Sequence, residues 1–391
     1  MPSLLHTRNA VAASFALNGF CFATMVSRLP DIRSGLELDN ASLGLLLLAI
    51  SVGSVIALPL SGRLIDRFSA SMVTRFGAVL VFVGLTVAMT GVVTDMIALA
   101  AFGLFIDGIG IATWDVSMNV EAAEVERQLG RTIMPRFHAG WSFGAFTGAG
   151  IGIPMAAVHA PLVLHVAGFA AVAAVATWRA AASYLPAQEE HPDKPAAGSW
   201  TPWKEPRTLA IGVMVMAFAL SEGAANDWLS LALIDGYDVA HWVGVAGFTT
   251  FVISMVAGRL FGPVVLDRYG RSPVLWGSAA AAFAGILMIV FGGNVVLVGA
   301  GIVIWGLGAS LGFPVGMSAA ADDPLRAARR VSTVSTIGYT AFLAGPPLLG
   351  LLADHIGTLE TLLVIAGLMV PAAVTVFAAR EREPVAAASD G

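Results

Sequence analysis

Long apolar runs alternate with short polar clusters along the whole chain. Each run has about 20 residues or more, which is enough for a helix to cross a bilayer. Continuous hydrophobicity at this length is typical of helices, because transmembrane barrel strands show weak alternating segments of about ten residues. The pattern therefore predicts an all-α membrane protein with 12 transmembrane helices. The runs lie near 9–29, 41–62, 72–93, 96–119, 136–157, 160–182, 208–233, 241–265, 273–292, 295–319, 332–353 and 358–379.

Composition supports a protein that has lipid as its main solvent. Of the 391 residues, 57% are hydrophobic and 12% are charged, whereas soluble domains carry about 25% charged residues. Twelve spans occupy most of the chain and leave no room for a second folded domain. A single cysteine, Cys21, excludes a disulfide framework and a Cys-rich metal site. No cofactor is expected, and no basic stripe with interleaved aromatic residues points to nucleic acid.

The distribution of basic residues predicts the orientation. When the N-terminus is placed in the cytoplasm, all of the 21 Lys and Arg residues except Arg28 and Arg33 fall in segments on that side. This count assigns Arg259 to the loop that follows the eighth run. Such a bias is what the positive-inside rule requires. We therefore expect a multi-pass protein of the bacterial inner membrane, monomeric, with both termini in the cytoplasm.

A polar, proline-rich segment divides the chain near its midpoint. It predicts an N-terminal six-helix bundle at 1–183, a cytoplasmic linker at 184–206 and a C-terminal six-helix bundle at 207–391 with a short tail. An alternative for the end of the linker, near Trp200 and Trp203, is a short amphipathic helix on the membrane surface.

The two halves of the chain repeat each other. The second and eighth runs both end in an Asp-Arg-aromatic triplet, Asp66-Arg67-Phe68 and Asp267-Arg268-Tyr269. The first and seventh runs share FALNG, at 15–19, and FALSEG, at 218–223. Two homologous halves predict pseudo-symmetric bundles related by an axis along the membrane normal, as in many secondary transporters.

The turns that follow the second and eighth runs resemble the Gly-x-Leu-x-Asp-Arg-x-Gly signature of the major facilitator superfamily. The resemblance covers essentially the whole chain, although Ser69 stands where the signature has glycine. Further stretches are similar to fucose/proton symporters and rhizopine-type permeases: SRLPDIR (27–33), MNVEAAEVERQLGR (118–131), RFHAGWSFGAFTGAG (136–150) and EGAANDW (222–228). The resemblance implies alternating access around a site between the halves, with Asp66, Arg67, Asp267 and Arg268 gating the cytoplasmic face.

The resemblance also implies a function. It favours proton-coupled symport of a small polar solute, such as a sugar, an inositol derivative or an amine-bearing polyol. The alternative is proton-driven export of a hydrophobic or amphiphilic compound, although the fifth run lacks the Gly-Pro pair of drug antiporters. A receptor or a membrane enzyme is a remote alternative, because the chain has neither a phosphate-binding loop nor a recognisable nucleophile or metal set.

Three carboxylates inside predicted spans are candidates for proton coupling, because ionisable groups in a membrane usually face a cavity or a partner. Asp107 and Asp115 share one face of the fourth helix. Asp107 lies near the middle of its run and is the preferred proton site, with a structural hydrogen bond as the alternative. Asp115 suits gating or a structural role. Glu222, on the seventh helix, is either a second protonation site or a ligand for a substrate hydroxyl.

Polar residues near the periplasmic side suggest an outer gate. Asp227 is predicted to pair with Arg28 of the first helix, with simple solvation of both residues as the alternative. At the opposite side, Arg136 and His138 open the fifth helix, where they suit a cytoplasmic gate. Pro314 is expected to break the tenth helix, because proline lacks the backbone donor.

The remaining candidates are side chains that suit binding of a polar or ring-bearing solute, each with helix packing as the alternative. Helix one carries no acid, in contrast to the fucose symporters, and its polar residue is an asparagine instead. The substrate-binding candidates are Asn18, Asn119, Trp141, Asn226, Trp305, Phe313 and Tyr339.

Overall fold

The computed structural model describes residues 3–186 and 201–381, and nearly all of them are helical. Within these residues there are fourteen α-helices and three 3₁₀ turns, the latter at Ala181–Ser183, Thr201–Lys204 and Val376–Ala379. The central part of the predicted linker, 187–200, lies outside the described residues, and so does Trp200. The helices are α1 (Leu4–Val26), α2 (Leu29–Gly35), α3 (Asn40–Phe68), α4 (Ala70–Val93), α5 (Ile97–Leu129), α6 (Met134–Ala157), α7 (Leu162–Ala180), α8 (Pro206–Tyr237), α9 (His241–Tyr269), α10 (Arg271–Phe291), α11 (Val295–Ala309), α12 (Gly312–Ala320), α13 (Ala327–Ile356) and α14 (Thr358–Thr375).

Two pairs of these helices each form one broken span. Helix α2 continues α1, and α12 continues α11 after an interruption at Ser310 and Leu311. Pro314 explains the second break, because it has no N–H to donate to the carbonyl of Ser310, four residues earlier. Twelve spans result, as predicted. Ten spans in the described part of the chain meet length and hydropathy criteria for crossing a membrane, and α6 and α13 complete the two sets of six.

Helices α1 to α7 pack as a first bundle and α8 to α14 as a second bundle. Glycines allow the closest approaches within each bundle. A Cβ added to Gly77 of α4 would lie 2.8 Å from the backbone nitrogen of Trp114 on α5. A Cβ on Gly285 of α10 would lie 2.6 Å from the backbone nitrogen of Trp305 on α11. These glycines therefore serve helix contact, as small residues do in membrane bundles.

The same tryptophans carry a matching pair of buried hydrogen bonds. Trp114 Nε1 donates to Ser14 Oγ, and Trp305 Nε1 donates to Ser221 Oγ, both at 2.8 Å. Trp305 is 0% exposed and packs edge-on against Phe251. In this structure Trp305, a substrate-binding candidate from the sequence, joins α11 to α8, because a buried indole needs a partner for its N–H.

The turns between α3 and α4 and between α9 and α10 have nearly the same backbone conformation. Ser69 has φ 76° and ψ 155°, and Gly270 has φ 78° and ψ 169°. This region is essentially restricted to glycine. Ser69 therefore departs from the family signature in side chain while it keeps the conformation that the turn requires.

Several predicted helix ends were wrong. Helix α5 continues ten residues past the predicted end at 119, and α13 begins five residues before the predicted start at 332. Both extensions contain charged residues, and two of them, Glu126 and Arg329, bind the opposite bundle, so polarity alone did not mark the ends. We call one end of the molecule the basic end. It carries the start of α1 and the turns α3–α4, α5–α6, α9–α10 and α12–α13.

Candidate functional site

A buried ion pair in the second bundle faces the first bundle. Arg259 Nη2 of α9 lies 2.7 Å from Glu222 Oε2 of α8, and the side chains are 5% and 15% exposed. Arg259 Nη1 donates to Ser142 Oγ of α6 at 3.1 Å. Its Nε donates to the carbonyl of Ser310 at 3.4 Å. This carbonyl lacks its usual helical donor, because Pro314 has no backbone N–H. One guanidinium group therefore connects three helices of the second bundle to the first.

The first bundle contributes a chain of hydrogen bonds at the same level. Asn119 Nδ2 donates to the carbonyl and to Oδ1 of Asp115, at 2.9 and 3.3 Å. Asn119 Oδ1 lies 3.2 Å from His138 Nε2 of α6. All three residues are buried, and Asp115 Oδ2 has no hydrogen-bond partner. One oxygen of the Asp115 carboxyl group is thus buried without a hydrogen-bond partner.

Aromatic rings join the two sets of polar groups. Phe313 of α12 packs edge-on against His138 at 5.6 Å and against Tyr339 of α13 at 5.9 Å between centroids. The Tyr339 hydroxyl group interacts with the Asp115 carboxyl group. We call these residues the central cluster: Asp115, Asn119, His138, Ser142, Glu222, Arg259, Phe313 and Tyr339.

The central cluster lies near the middle of the molecule. Arg259 is ten residues from the end of α9 at Tyr269, which corresponds to about 15 Å along the helix. Glu222 is sixteen residues from the start of α8 at Pro206, or about 24 Å. Charged groups at this depth are expensive in a membrane and mark functional paths.

Bonds between the bundles close the basic end. Arg329 Nε of α13 lies 2.5 Å from Asp66 Oδ2 of α3. The backbone N–H of Thr132 donates to Asp267 Oδ1 at 2.9 Å. Arg136 Nε donates to the carbonyl of Leu260 at 3.4 Å. The acidic residues of both repeat triplets thus bind the opposite bundle.

Glu126 adds a further contact near the basic end. Its Oε2 accepts the N–H groups of Ile133 and Met134 at 2.7 Å each, and so caps the start of α6. Its Oε1 accepts a hydrogen bond from Ser318 of α12 in the second bundle. One carboxylate therefore stabilises a helix N-terminus and joins the two bundles.

The arginines of the repeat triplets have a different environment from the aspartates. Arg67 stacks over Phe68 at 5.4 Å, and Arg268 stacks over Tyr269 at 5.3 Å, measured to the ring centroid. Each arginine therefore covers the aromatic residue next to it at the basic end, where a snorkelling cation is expected.

Asp107 lies apart from the central cluster. It is 1% exposed, and its Oδ1 has no hydrogen-bond partner. Its backbone faces Gly84 of α4, and its side chain interacts electrostatically with Cys21 of α1, so its defined neighbours belong to the first bundle. The structure therefore separates Asp107 from Asp115 and Glu222, although the sequence grouped them.

Asn18 and Trp141 bind each other inside the first bundle. Trp141 Nε1 of α6 donates to Asn18 Oδ1 of α1 at 2.9 Å. Asn18 Nδ2 is buried without a hydrogen-bond partner. Trp141 is half-buried and packs beside Phe22 at 5.8 Å. The two residues fasten α1 to α6, and one amide N–H group remains unused.

The predicted pair of Arg28 and Asp227 is not formed. Arg28 binds Asp31 at 2.8 and 3.2 Å, the carbonyl of Ala160 at 3.0 Å and His165 Nδ1 at 3.1 Å. These partners belong to the first bundle, where a 2% exposed arginine satisfies its donors locally. Asp227 is exposed, and so is Asn226, which lies one turn beyond Glu222 on α8.

Sequence reasoning missed Arg259 and Glu126. Arg259 was assigned to a loop, although it falls inside the predicted run 241–265, and an arginine within a span was the available signal. Glu126 lay beyond the predicted end of the fourth helix. Ser142 carried no signal, because serine is common on packed membrane helices.

Two six-helix bundles that meet at a buried polar cluster are the architecture of many membrane transporters. A model of the Major Facilitator Superfamily matches residues 11–324 and 236–390. The chain belongs to this superfamily.

Relatives with related sequences span nearly the same length. An uncharacterized transporter of Sinorhizobium fredii is 33% identical over 94% of this chain and 96% of its own. An uncharacterized MFS-type transporter of Yersinia pestis is 31% identical, over 87% of each chain. Membrane protein MosC of Rhizobium meliloti is 27% identical, over 97% of this chain and 92% of its own.

Solved structures share the fold at low sequence identity. The Escherichia coli fucose:proton symporter FucP matches with a TM-score of 0.82 at 15% identity, over 97% of this chain and 100% of that chain. The proton:xylose symporter XylE matches with a TM-score of 0.74 at 12% identity, over 96% and 95% of the chains. These likenesses confirm the fold.

Proposed function

We propose that the chain is a proton-coupled symporter of a small polar solute, which binds at the central cluster between the bundles. The observation that carries this proposal is the pair of Glu222 and Arg259, which reaches Ser142 across the interface. A carboxylate that changes protonation there alters the bond that holds both bundles. Proton binding and rearrangement of the bundles are thereby linked.

The basic end is proposed to face the cytoplasm of a bacterial inner-membrane protein, since the positive-inside rule favours basic residues there. With Asp66 bound to Arg329 and Asp267 bound to Thr132, the cytoplasmic side is then the closed side. Solute enters from the opposite side, along the face of α8 that carries the exposed Asn226.

Within this mechanism, Glu222 is proposed to take up the proton and Asp115 to sense the change through Tyr339. Phe313 and Tyr339 offer aromatic faces to the solute, and Asn226 offers hydrogen bonds. Asp107 is proposed to take no part in solute or proton binding, because its defined neighbours belong to the first bundle. Sugars, inositol derivatives and amine-bearing polyols are the solutes favoured by the resemblance to fucose symporters.

The test is proton movement in proteoliposomes that contain the purified chain as a monomer. Members of a sugar, inositol and aminosugar panel are added outside, and external pH is followed with a dye. We expect external alkalinisation with a transported solute. The Glu222→Gln variant should exchange that solute across the membrane without moving protons, whereas Asp107→Asn serves as the matched carboxylate control.

Two results would remove the proposal. Solute exchange without proton movement by the unmodified protein would exclude symport. Movement of an amphiphilic compound outward with protons moving inward would establish the exporter alternative instead.

A further inference from the structure

We propose that Arg259 is the binding group for an anionic group of the transported solute, which takes over the guanidinium when Glu222 is protonated. The inference rests on the proposed function and names its substrate class: small polyhydroxylated carboxylates, the size of sugar acids, carried together with a proton.

The charge balance of the site is the first argument. Arginine does not lose its proton in proteins, and Arg259 is 4% exposed. Among its described contacts, Glu222 is the carboxylate, while Ser142 Oγ and the Ser310 carbonyl are neutral oxygens. A proton on Glu222 therefore leaves a buried cation without a counter-charge, which is strongly unfavourable. A solute anion restores the balance.

The geometry of the guanidinium is the second argument. Its Nη2 meets one oxygen of Glu222, its Nη1 meets Ser142, and its Nε lies at 3.4 Å from the Ser310 carbonyl. An arginine fork binds a carboxylate with two parallel bonds when it is free to do so. A solute carboxylate can therefore take the place of Glu222 on Nη2, and a second parallel bond would replace the contact to Ser142 or the longer contact to Ser310.

The other charged and titratable groups around Glu222 are compatible with binding of a solute anion at Arg259. Tyr339 of α13 faces Glu222, His138 of α6 faces Arg259, and Asp115 of α5 lies behind Tyr339. Of these neighbours, Arg259 is the permanent cation. Asp115 keeps one oxygen without a hydrogen-bond partner, but that oxygen is buried behind Tyr339. The position that the site offers to a solute anion is therefore the guanidinium of Arg259.

Access to Arg259 follows α8. Glu222 is partly exposed, and Asn226, one turn away on the same helix face, is exposed. A solute that enters past Asn226 meets Glu222 before it meets the guanidinium.

The test compares probes that share size and hydroxyl groups but differ in charge. The full-length protein in detergent is titrated with D-glucuronate and D-gluconate, with neutral D-glucose and with cationic D-glucosamine, and Kd is measured by calorimetry between pH 5.5 and 7.5. We expect a carboxylate to bind, with Kd weakening by up to about tenfold per pH unit as the pH rises from 5.5 to 7.5, because one proton accompanies each anion.

Two variants sharpen the result. Glu222→Gln should bind the carboxylate at pH 7.5 at least about tenfold more tightly than the unmodified protein and without pH dependence. Glu222→Gln combined with Arg259→Gln is the matched neutral control and should bind neither carboxylate. If the variants do not fold, the pH dependence of the unmodified protein decides the question.

The outcomes are distinct from failure of the proposed function. Binding of glucose or glucosamine without binding of either carboxylate, from pH 5.5 to 7.5, overturns the anion site and leaves proton symport intact. Equal carboxylate binding by the doubly neutral control also overturns it. Carboxylate binding that depends on Arg259 but moves no proton in proteoliposomes supports the anion site and rejects symport.

Discussion

In the first bundle Trp114 donates to Ser14, and the next residue, Phe15, is a buried ring; in the second bundle Trp305 donates to Ser221, and the next residue is Glu222. The two bonds use the same residue types at different repeat positions, because the FALNG and FALSEG stretches align Ser221 with Asn18, one helical turn beyond Ser14. The bond in the first bundle therefore lies beside an apolar ring, and the bond in the second bundle lies beside an acid.

A second position shows the same contrast. Arg259 lies eight residues before Asp267, and Leu58 lies eight residues before Asp66. Leu58 offers its backbone carbonyl, which accepts a bond from Ser332 of the opposite bundle at 2.5 Å. Arg259 reaches Ser142 of the opposite bundle with its side chain. Both repeat positions therefore contact the opposite bundle, but only Arg259, in the second bundle, does so with a charged side chain.

The largest expected effect comes from making the second bundle like the first at this position. Arg259→Leu leaves Glu222 buried without its cation, and removing one partner of a buried pair costs about 3–5 kcal/mol. We expect a strongly lowered melting temperature in detergent and no transport. Arg259→Leu combined with Glu222→Leu should regain most of the stability but no transport. A single variant as stable as the unmodified protein would contradict this account.

The next comparison concerns the two closures of the basic end. Asp66 binds a charged, 7% exposed Arg329, whereas Asp267 accepts an exposed backbone N–H. Asp66→Asn should therefore favour opening by about 1.5–3 kcal/mol, and Asp267→Asn by about 0.5–1.5 kcal/mol.

The measurement uses a cysteine introduced for the buried Thr336 of α13, in a chain whose natural Cys21 is changed to serine. Its reaction with an impermeant maleimide, added at the basic end, reports opening. Equal reactivity in both aspartate variants would mean that the two closures are energetically alike.

The fastening of the helix ends also differs between the bundles. In the first bundle, Thr7 and Ser71 donate to backbone carbonyls at 2.7 and 2.6 Å. In the second, Glu205 accepts bonds from Arg330 at 2.7 Å and Thr208 at 2.8 Å, with Arg326 at 3.3 Å. The helix ends of the first bundle are thus held by neutral hydrogen bonds, and those of the second bundle are held by ion pairs of Glu205. We call these the neutral and the ionic fastening.

A fall in pH should weaken the ionic fastening at Glu205, because protonation removes the charge of its carboxylate. Partial burial opposes ionisation of Glu205, but the hydrogen bonds from Arg330 and Thr208 and the charges of both arginines outweigh it and lower its pKa below 4.5. Its contribution is therefore complete above pH 4.5 and is lost as the pH falls through the lowered value.

Because Glu205 is partly solvated, the loss should be about 1 kcal/mol or less. Hydrogen exchange, corrected for its intrinsic rate at each pH, should show lost protection at the start of α8 and not at the start of α1. Glu205→Gln should abolish the difference; equal loss in both bundles would argue against an ionic fastening.

The last comparison concerns the turns after α3 and α9. Ser69 adopts a glycine-like conformation at φ 76°, while its Oγ accepts a long bond of 3.4 Å from Met72 N–H. Ser69→Gly should raise stability by about 1 kcal/mol, because relief of strain exceeds loss of that bond. Gly270→Ser is the matched reverse change and should lower the melting temperature. A lowered melting temperature for Ser69→Gly would show that the serine cap dominates.

The spans, their number and the repeat could be predicted from the sequence, because each depends on properties that are local to a run. Apolar length sets a span, and the Asp-Arg-aromatic triplets mark the same turn in each half. Helix ends were less predictable where Glu126 or Arg329 extends a helix, since Glu126 accepts a hydrogen bond from Ser318 and Arg329 forms an ion pair with Asp66, both in the other bundle.

The site was predicted in part. Asp115, Asn119, His138, Glu222, Phe313 and Tyr339 were proposed from the sequence, and the structure brings them into one cluster. Asp107, Asn18 and Trp305 were proposed on the same grounds, yet they lie within single bundles. Position along a helix gives depth, but the rotation of that helix against its neighbours decides which side chains face the interface.

By itself, the sequence determined a twelve-helix transporter with two related halves, because lipid solvent imposes span length and polarity on every run. Tertiary structure alone decided that Arg259 pairs with Glu222, which is 37 residues away on another helix, and that Arg28 does not pair with Asp227. Ion-pair partners are selected by how helices cross and turn, and packing of the whole bundle sets those angles.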